Sequence, residues 1–239
     1  MAILAFKLWY PYMSSAIMRG VTYLQQHEKN AGSTMLKKIL FAAALLWLWA
    51  FNAHAAQEAP YEAGKHYIIV SDQKTEQNEI REFYSYWCGH CFSLQEQFEY
   101  LQKRFENKAK FVLNPIDLMG GPMGPETQKG YAVALLMGLD KTYSKDLFDL
   151  IHVQGKIPKS HQDMVDFFAS IGVPEEKFEQ DYGSFAISGI VSGYNSWVKK
   201  TKIDAVPELV VNGKYKLVME AFDNMDDLAK LIEYLLTLD

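Results

Sequence analysis

The chain has little cysteine: only two in 239 residues. Both lie in the segment Cys88-Gly89-His90-Cys91, so any sulfur chemistry of this protein involves that single pair. A zinc site needs about four ligands, usually from a second Cys-x-x-Cys or a paired histidine motif. The remaining histidines are His27, His54, His66, His152 and His161. They show no ligand spacing, and this disfavours zinc.

Runs of one charge are also missing. The formal net charge is -5, and no stretch is rich in Lys and Arg, which argues against a nucleic-acid partner. No internal repeat or low-complexity tract occurs. With 49% hydrophobic residues the chain has the composition of a globular protein large enough for a substantial core.

Apolar runs long enough to span a membrane are absent as well. The longest apolar run is nevertheless informative. It spans Ile39 to Phe51, shorter than the ~20 residues that a membrane span needs. Lys37 and Lys38 precede it, and a small-x-small sequence ending at Ala55 follows. This pattern predicts a secretory signal peptide at residues 35–55, cleaved after Ala55. The alternative is an uncleaved signal anchor.

Residues 1–34 do not fit a signal peptide, which normally begins a chain. Two start sites, Met1 and Met35, therefore remain open. We interpret the segment as an upstream extension that is either not translated or disordered, and we place the mature domain at residues 56–239. Export would put the protein in an oxidising compartment, where a lone cysteine pair can persist as a disulfide.

The neighbours of the cysteine pair predict where it lies. Residues 80–87 are rich in aromatics and short enough for a buried strand. The apolar residues Leu94, Phe98, Leu101 and Phe105 follow at helical spacing. Cys88 would then lie at a helix N-terminus, where unpaired N–H groups favour a thiolate.

A redox-active dithiol is therefore the leading interpretation, because thiol–disulfide exchange needs two neighbouring sulfurs. A structural disulfide is one alternative, although a bridge closing so small a loop removes little unfolded-state entropy. The other alternative is that both cysteines are buried and chemically inert.

The pattern along the mature part predicts an α/β fold. Strands are expected at residues 66–70, 80–86 and 110–114, with the second and third parallel around the active-site helix. From Glu126 to Trp197 the periodicity is helical, which indicates an inserted all-helical subdomain at about 121–196. A hairpin turning at Asn212-Gly213 and a last helix complete the order β-β-α-β, insert, β-β-α.

These features resemble the thioredoxin fold and, more narrowly, the DsbA family of periplasmic thiol–disulfide oxidoreductases. The resemblance covers nearly all of the mature chain. It is carried by residues 82–91, the Met119-Gly120-Gly121 loop, Val206-Pro207 and the segment 212–215. The fold it implies is a thioredoxin-like fold with an inserted all-helical subdomain.

The resemblance implies a role for each cysteine-motif residue. Cys88 would be the exposed sulfur that forms the mixed disulfide with a substrate, and Cys91, more buried, would resolve it. His90 would donate a hydrogen bond or a positive charge to the Cys88 thiolate, making the disulfide a stronger oxidant. The alternative for His90 is a solvent-exposed spacer.

Other positions complete the predicted site. Pro207 is expected to be cis beside the cysteines, exposing the Val206 backbone to pair with an extended substrate; the alternative is an ordinary trans proline. Glu82 is expected to be a buried acid that exchanges a proton with Cys91, its pKa raised toward neutrality. Its alternative is an exposed residue at the start of the strand.

Two further residues are expected to contact substrate together with Val206. Trp87, next to Cys88, would be part of an apolar surface for unfolded proteins, and Gly89 lies between the cysteines. Gly89-His90 departs from the proline–histidine pair usual in DsbA proteins and is similar to the pair in protein disulfide isomerases, which leaves the oxidant strength open. Glu208, if it faced the groove, would bias substrate choice toward neutral or basic segments.

The resulting hypothesis is an exported, periplasmic thiol:disulfide oxidoreductase that donates the Cys88–Cys91 disulfide to unfolded or partly folded secreted proteins. We expect a monomer with no cofactor and no metal, and the resemblance implies a membrane quinone-linked partner that reoxidises it. The alternatives are a disulfide reductase or isomerase, and a peptide-binding chaperone-like module with a structural disulfide.

Overall fold

A strand buried on both faces organises the fold. In the computed structural model, which describes residues 59–238, strand β2 (Glu79–Tyr84) has every side chain from Ile80 to Tyr84 buried. Such a strand is typical of the centre of a sheet covered by helices on both sides. The cysteine motif directly follows it in the chain.

Four further strands pair around β2: β1 (Tyr67–Ile69), β3 (Lys110–Pro115), β4 (Glu208–Val211) and β5 (Tyr215–Leu217). Their order across the sheet is β1-β5-β4-β2-β3. β2 and β3 are parallel, and the other neighbouring pairs are antiparallel. The predicted parallel pair and the predicted hairpin are both confirmed. The turn of the hairpin uses Asn212 and Gly213, both with positive φ.

The helices follow the predicted order. They are α1 (Gly89–Ser93), α2 (Gln95–Phe105), α3 (Met123–Met137), α4 (Asp140–Phe148), α5 (His161–Ser170), α6 (Glu175–Tyr182), α7 (Phe185–Lys200) and α8 (Met225–Thr237). A π-helical turn, Asp149–Val153, extends α4. The predicted active-site helix is divided at Leu94, which ends α1 and precedes α2.

Each face of the sheet has its own core. Ile80 packs on one face with Phe98 and Leu101 of α2 and with apolar residues of α8. On the other face Phe83 and Val210 form a smaller core against the end of α7. The alternation of β2 therefore separates two cores, and Glu82 shares the face of Ile80.

Helices α3 to α7 form a third core, in which Tyr143, Phe168 and Phe178 are fully buried, and this core also includes Tyr84, Tyr86 and the two cysteines. The sequence placed this all-helical subdomain at about 121–196, and the helices observed run from 123 to 200. The fold class is confirmed: a thioredoxin-like sheet with an inserted all-helical subdomain.

The predictions for residues 1–34 and for the signal peptide at 35–55 lie outside the described residues. Within residues 59–238, no helix is both long enough and apolar enough to span a bilayer.

One histidine ties three helices of the subdomain together. His161, the first residue of α5, has Nδ1 2.9 Å from Glu126 of α3 and Nε2 2.8 Å from Glu179 of α6. Hydrogen bonding to Glu126 and, more weakly, to Glu179 raises the pKa of His161 above its ordinary 6.5. The imidazolium, which can donate to both carboxylates at once, is the form that the fold favours.

We predict that this bridge makes stability pH-dependent. Because the pKa of His161 is raised on folding, its contribution is fully present below the unfolded value and is lost as the pH rises through the folded value. The free energy of unfolding of wild type should exceed that of His161→Gln at about pH 6, and the gap should narrow by about pH 8. Urea titrations across this range measure it. In a Glu126→Gln background, the effect of His161→Gln on the free energy of unfolding should depend less on pH. If this effect does not change with pH in the wild-type background, the prediction is contradicted.

Candidate active site

The cysteine pair lies where the central strand passes into a helix. Cys88 precedes the first residue of α1 and keeps an extended backbone, and its Sγ accepts the Cys91 N–H at 3.2 Å. The first N–H groups of a helix have no partner within the helix, so the sulfur takes one of them. An N–H donated to sulfur stabilises the thiolate more than the thiol. Both residues are thiols in this structure.

The predicted exposure of Cys88 is wrong. Its accessible fraction is 7%, against 2% for Cys91, so both are buried although Cys88 remains the more accessible. The reason is that Cys88 belongs to the same core cluster as Tyr84 and Tyr86, and Val206 packs against that cluster. Only a small part of Cys88 is therefore accessible to a partner sulfur.

The two thiols differ in their chemistry. Burial raises the pKa of the Cys91 thiol far above its ordinary value, and its hydrogen bond with Cys88 adds to the effect. Cys91 is therefore a thiol at neutral pH unless another group takes its proton.

The loop before β4 closes the other side of Cys88. The Val206–Pro207 peptide bond is cis, as predicted, and the Cys88 thiol donates to the Val206 carbonyl oxygen at 3.6 Å. Pro207 is buried and Val206 half-buried. The structure thus brings Cys88, Val206 and Pro207 together.

A buried lysine holds this loop. Lys216 Nζ lies 3.0 Å from Glu208, 3.0 Å from Asp204 and 3.0 Å from the carbonyl oxygen of Lys202. The Glu208 side chain is only 12% exposed. Glu208 therefore does not offer a free charge to a substrate, because Lys216 neutralises it.

Glu82 is buried, so the alternative of an exposed residue is wrong. Its neighbours across the sheet are apolar: Leu113 on β3 and Leu209 on β4. Desolvation raises its pKa to about 8. Glu82 and Cys91 both line a cavity of about 740 Å³ between the sheet, α2 and α4, so the two groups share one solvent space.

His90 and Gly89 are exposed. Among the hydrogen bonds of residues 59–238, none joins the His90 ring to Cys88. In the dithiol form His90 is therefore a surface side chain, which agrees with the alternative prediction of a solvent-exposed spacer. A Cβ at Gly89 would meet open space, which leaves this side of the pair accessible.

Trp87 is half-buried, and its indole N–H donates to Thr127 of α3 at 3.1 Å. A Cβ on Gly120 would lie 2.3 Å from the indole nitrogen, so the glycine loop predicted near the site packs directly against Trp87. Leu118, in the same loop, is 65% exposed. The platform expected at Trp87 is thus smaller than a fully exposed indole would provide.

Three residues of the site were not predicted from the sequence. Thr127 and Lys216 hold Trp87 and the cis-proline loop, and His152 Nε2 lies 2.8 Å from the Tyr86 carbonyl oxygen. Lys216 carried a signal, since it interrupts an apolar strand and faces a strand that begins with Glu208. In the described part of the chain, no group of three or more His, Cys, Asp and Glu side chains is placed to hold a metal ion.

A thioredoxin-like sheet that delivers Cys-x-x-Cys to a helix start beside a cis-proline defines the class of thiol:disulfide oxidoreductases. The DSBA-like thioredoxin domain matches residues 79–233. The thiol:disulfide interchange protein DsbA of Escherichia coli strain CFT073 is 31% identical over 196 residues, which cover 80% of this chain and 92% of that protein. The DsbA of Haemophilus influenzae is 29% identical over 200 residues, covering 82% and 94%.

Solved structures agree. DsbA from Klebsiella pneumoniae matches with a TM-score of 0.66 at 28% identity and covers 74% of this chain and 98% of its own. A cysteine-to-serine variant of Proteus mirabilis DsbA, solved with a non-covalently bound peptide, matches with a TM-score of 0.68 at 25% identity, covering 75% and 100%. The chain belongs to the DsbA family of thiol:disulfide oxidoreductases.

The raised pKa of Glu82 generates a stability prediction. Between its ordinary value of 4.5 and about 8, the carboxyl is protonated in the folded chain and ionised in the unfolded chain. The folded state binds the extra proton, so stability falls as the pH rises through this window. Glu82→Gln should therefore become more stable than wild type, by roughly 2–4 kcal/mol at about pH 8 relative to pH 5.

The measurement is the free energy of unfolding by urea at several pH values, on the reduced protein. Glu99→Gln, which changes an exposed carboxyl on the same cavity, is the control and should show no such trend. If the difference in free energy of unfolding between wild type and Glu82→Gln does not change with pH, the pKa of Glu82 is not raised in the folded chain.

Proposed function

We propose that this enzyme is an exported, periplasmic dithiol oxidase that donates the Cys88–Cys91 disulfide to unfolded or partly folded secreted proteins. The observation that carries the proposal is the Cys91 N–H donated to the Cys88 sulfur at 3.2 Å. A stabilised Cys88 thiolate favours the reduced enzyme, and a disulfide whose reduced form is stabilised is a strong oxidant.

The reaction moves two electrons from substrate to enzyme. A substrate thiolate attacks Cys88 of the disulfide, forms a mixed disulfide with it and expels Cys91 as a thiolate. Glu82 supplies a proton to that sulfur, which is favourable because the Cys91 thiol holds its proton far more tightly than a carboxyl with a pKa of about 8. A second substrate thiolate then attacks the substrate sulfur and releases Cys88 as a thiolate.

Substrate would bind along the cis-proline loop, with the Val206 backbone pairing to an extended segment and with Trp87 and Gly89 on the opposite side. The exposed Leu118, in the loop whose Gly120 packs against Trp87, adds apolar area suited to unfolded chains. The peptide held by the Proteus mirabilis relative supports a peptide-binding site in this family.

The remaining parts of the proposal follow the family. The segment 35–55 would direct export, the protein would act as a monomer, and a membrane quinone-linked partner would reoxidise it. The exchange needs no cofactor, since the two sulfurs carry both electrons. A reductase or isomerase is the second candidate, favoured by the Gly89-His90 pair.

We predict opposite outcomes for the two single cysteine variants. Cys91→Ser should accumulate mixed disulfides with exported proteins, because Cys88 can still exchange but cannot be resolved. Cys88→Ser should form none and should lose oxidation of a reduced peptide by at least about 100-fold. Non-reducing gels of alkylated cell extracts and a fluorescent dithiol peptide provide the measurements.

The redox state in the intact compartment separates the candidates. Free thiols trapped by rapid acid quench and alkylation should be rare in an oxidase, and a mostly reduced pool would favour the reductase or isomerase. Unchanged folding of substrates with Cys88→Ser would favour a peptide-binding module instead.

A further inference from the structure

One histidine of the helical subdomain touches both sides of the cysteine pair. His152 lies in the π-helical turn Asp149–Val153, where the N–H of Gln154 donates to the carbonyl of Asp149, five residues earlier. Turns of this kind are rare and often occur at functional sites. The wider turn sets the direction of the His152 ring.

The first contact is with the backbone before Cys88. His152 Nε2 lies 2.8 Å from the carbonyl oxygen of Tyr86. A carbonyl only accepts, so Nε2 carries a hydrogen and donates it. The bond fixes a peptide group two residues before Cys88. It crosses from the helical subdomain to the end of the central strand.

The second contact is with the residue after Cys91. The His152 and Phe92 rings are stacked, with centroids 4.9 Å apart and planes at 16°. Phe148 of α4 packs against both rings, at 5.9 Å from His152 and 6.1 Å from Phe92. One half-buried imidazole therefore contacts the chain on both sides of the Cys-x-x-Cys segment.

We propose that His152 is a positioning residue of the redox site, acting through Tyr86 and Phe92 on the geometry of Cys88. The Cys91 N–H reaches the Cys88 sulfur only if residue 88 keeps its place ahead of α1. Loss of the hydrogen bond from His152 to the Tyr86 carbonyl would loosen the segment between β2 and α1, which determines the position of residue 88. The inference rests on the proposed role of Cys88 and Cys91 as the redox pair.

His152→Phe is the informative variant, because it keeps a flat ring for Phe92 and removes the donor to Tyr86. We predict a fall of about threefold to tenfold in the equilibrium constant for reduction of the disulfide by glutathione.

Two further variants separate positioning from simple loss of structure. His152→Gln retains an N–H donor, and its equilibrium constant with glutathione should lie closer to that of wild type than the constant of His152→Phe does. Val153→Ala, on the same turn and 67% exposed in wild type, should leave this equilibrium constant unchanged. The proposal is wrong if His152→Phe matches Val153→Ala, or if His152→Gln is shifted as far as His152→Phe.

Failure of this inference is distinct from failure of the proposed function. If wild type exchanges with glutathione through Cys88 and His152→Phe leaves the equilibrium unchanged, only the role of His152 falls. If wild type does not exchange at all, the assignment of the redox pair falls first.

Discussion

The Cys91 N–H can donate to the Cys88 sulfur only because a buried strand ends where a helix begins. The β2 strand must deliver residue 88 in an extended conformation, and α1 must start at once so that its free N–H groups face the sulfur. A sulfur in this position is stabilised as an anion without any charged partner. The other parts of the site are arranged around that contact. When Cys88 is protonated, its thiol donates a hydrogen bond to the Val206 carbonyl oxygen. Cys91 provides both the N–H that reaches Cys88 and the second sulfur of the pair.

A carboxyl in the apolar face of β2 would destabilise the fold if it were ionised. With Leu113 and Leu209 as its neighbours in the sheet, Glu82 keeps its proton up to a pH of about 8. The fold thus carries a neutral acid in place of a buried charge. The same burial that raises the pKa of Glu82 also raises that of Cys91, so both groups hold a proton at neutral pH. Both groups line the same cavity.

Local patterns in the sequence predict most of the fold and the nucleus of the site. The pleat of β2, the turn at Asn212-Gly213 and the helical spacing from 126 to 197 are properties of neighbouring residues, so each could be predicted without the rest. The burial of Cys88 could not, because it depends on Val206, more than a hundred residues away in the chain. For the same reason the sequence predicts an effect of Glu208 on substrate choice only if its side chain faces the groove, whereas in the structure Lys216 neutralises it across the hairpin.

Contacts from the helical subdomain hold the two residues before Cys88. The Tyr86 hydroxyl hydrogen-bonds Ser144 at 2.9 Å, its carbonyl accepts from His152, and the Trp87 indole donates to Thr127. These partners come from α4, the π-helical turn and α3. The approach to Trp87 is so close that only a glycine fits at position 120. The inserted helices therefore supply hydrogen-bond partners to the two residues that immediately precede the cysteine pair.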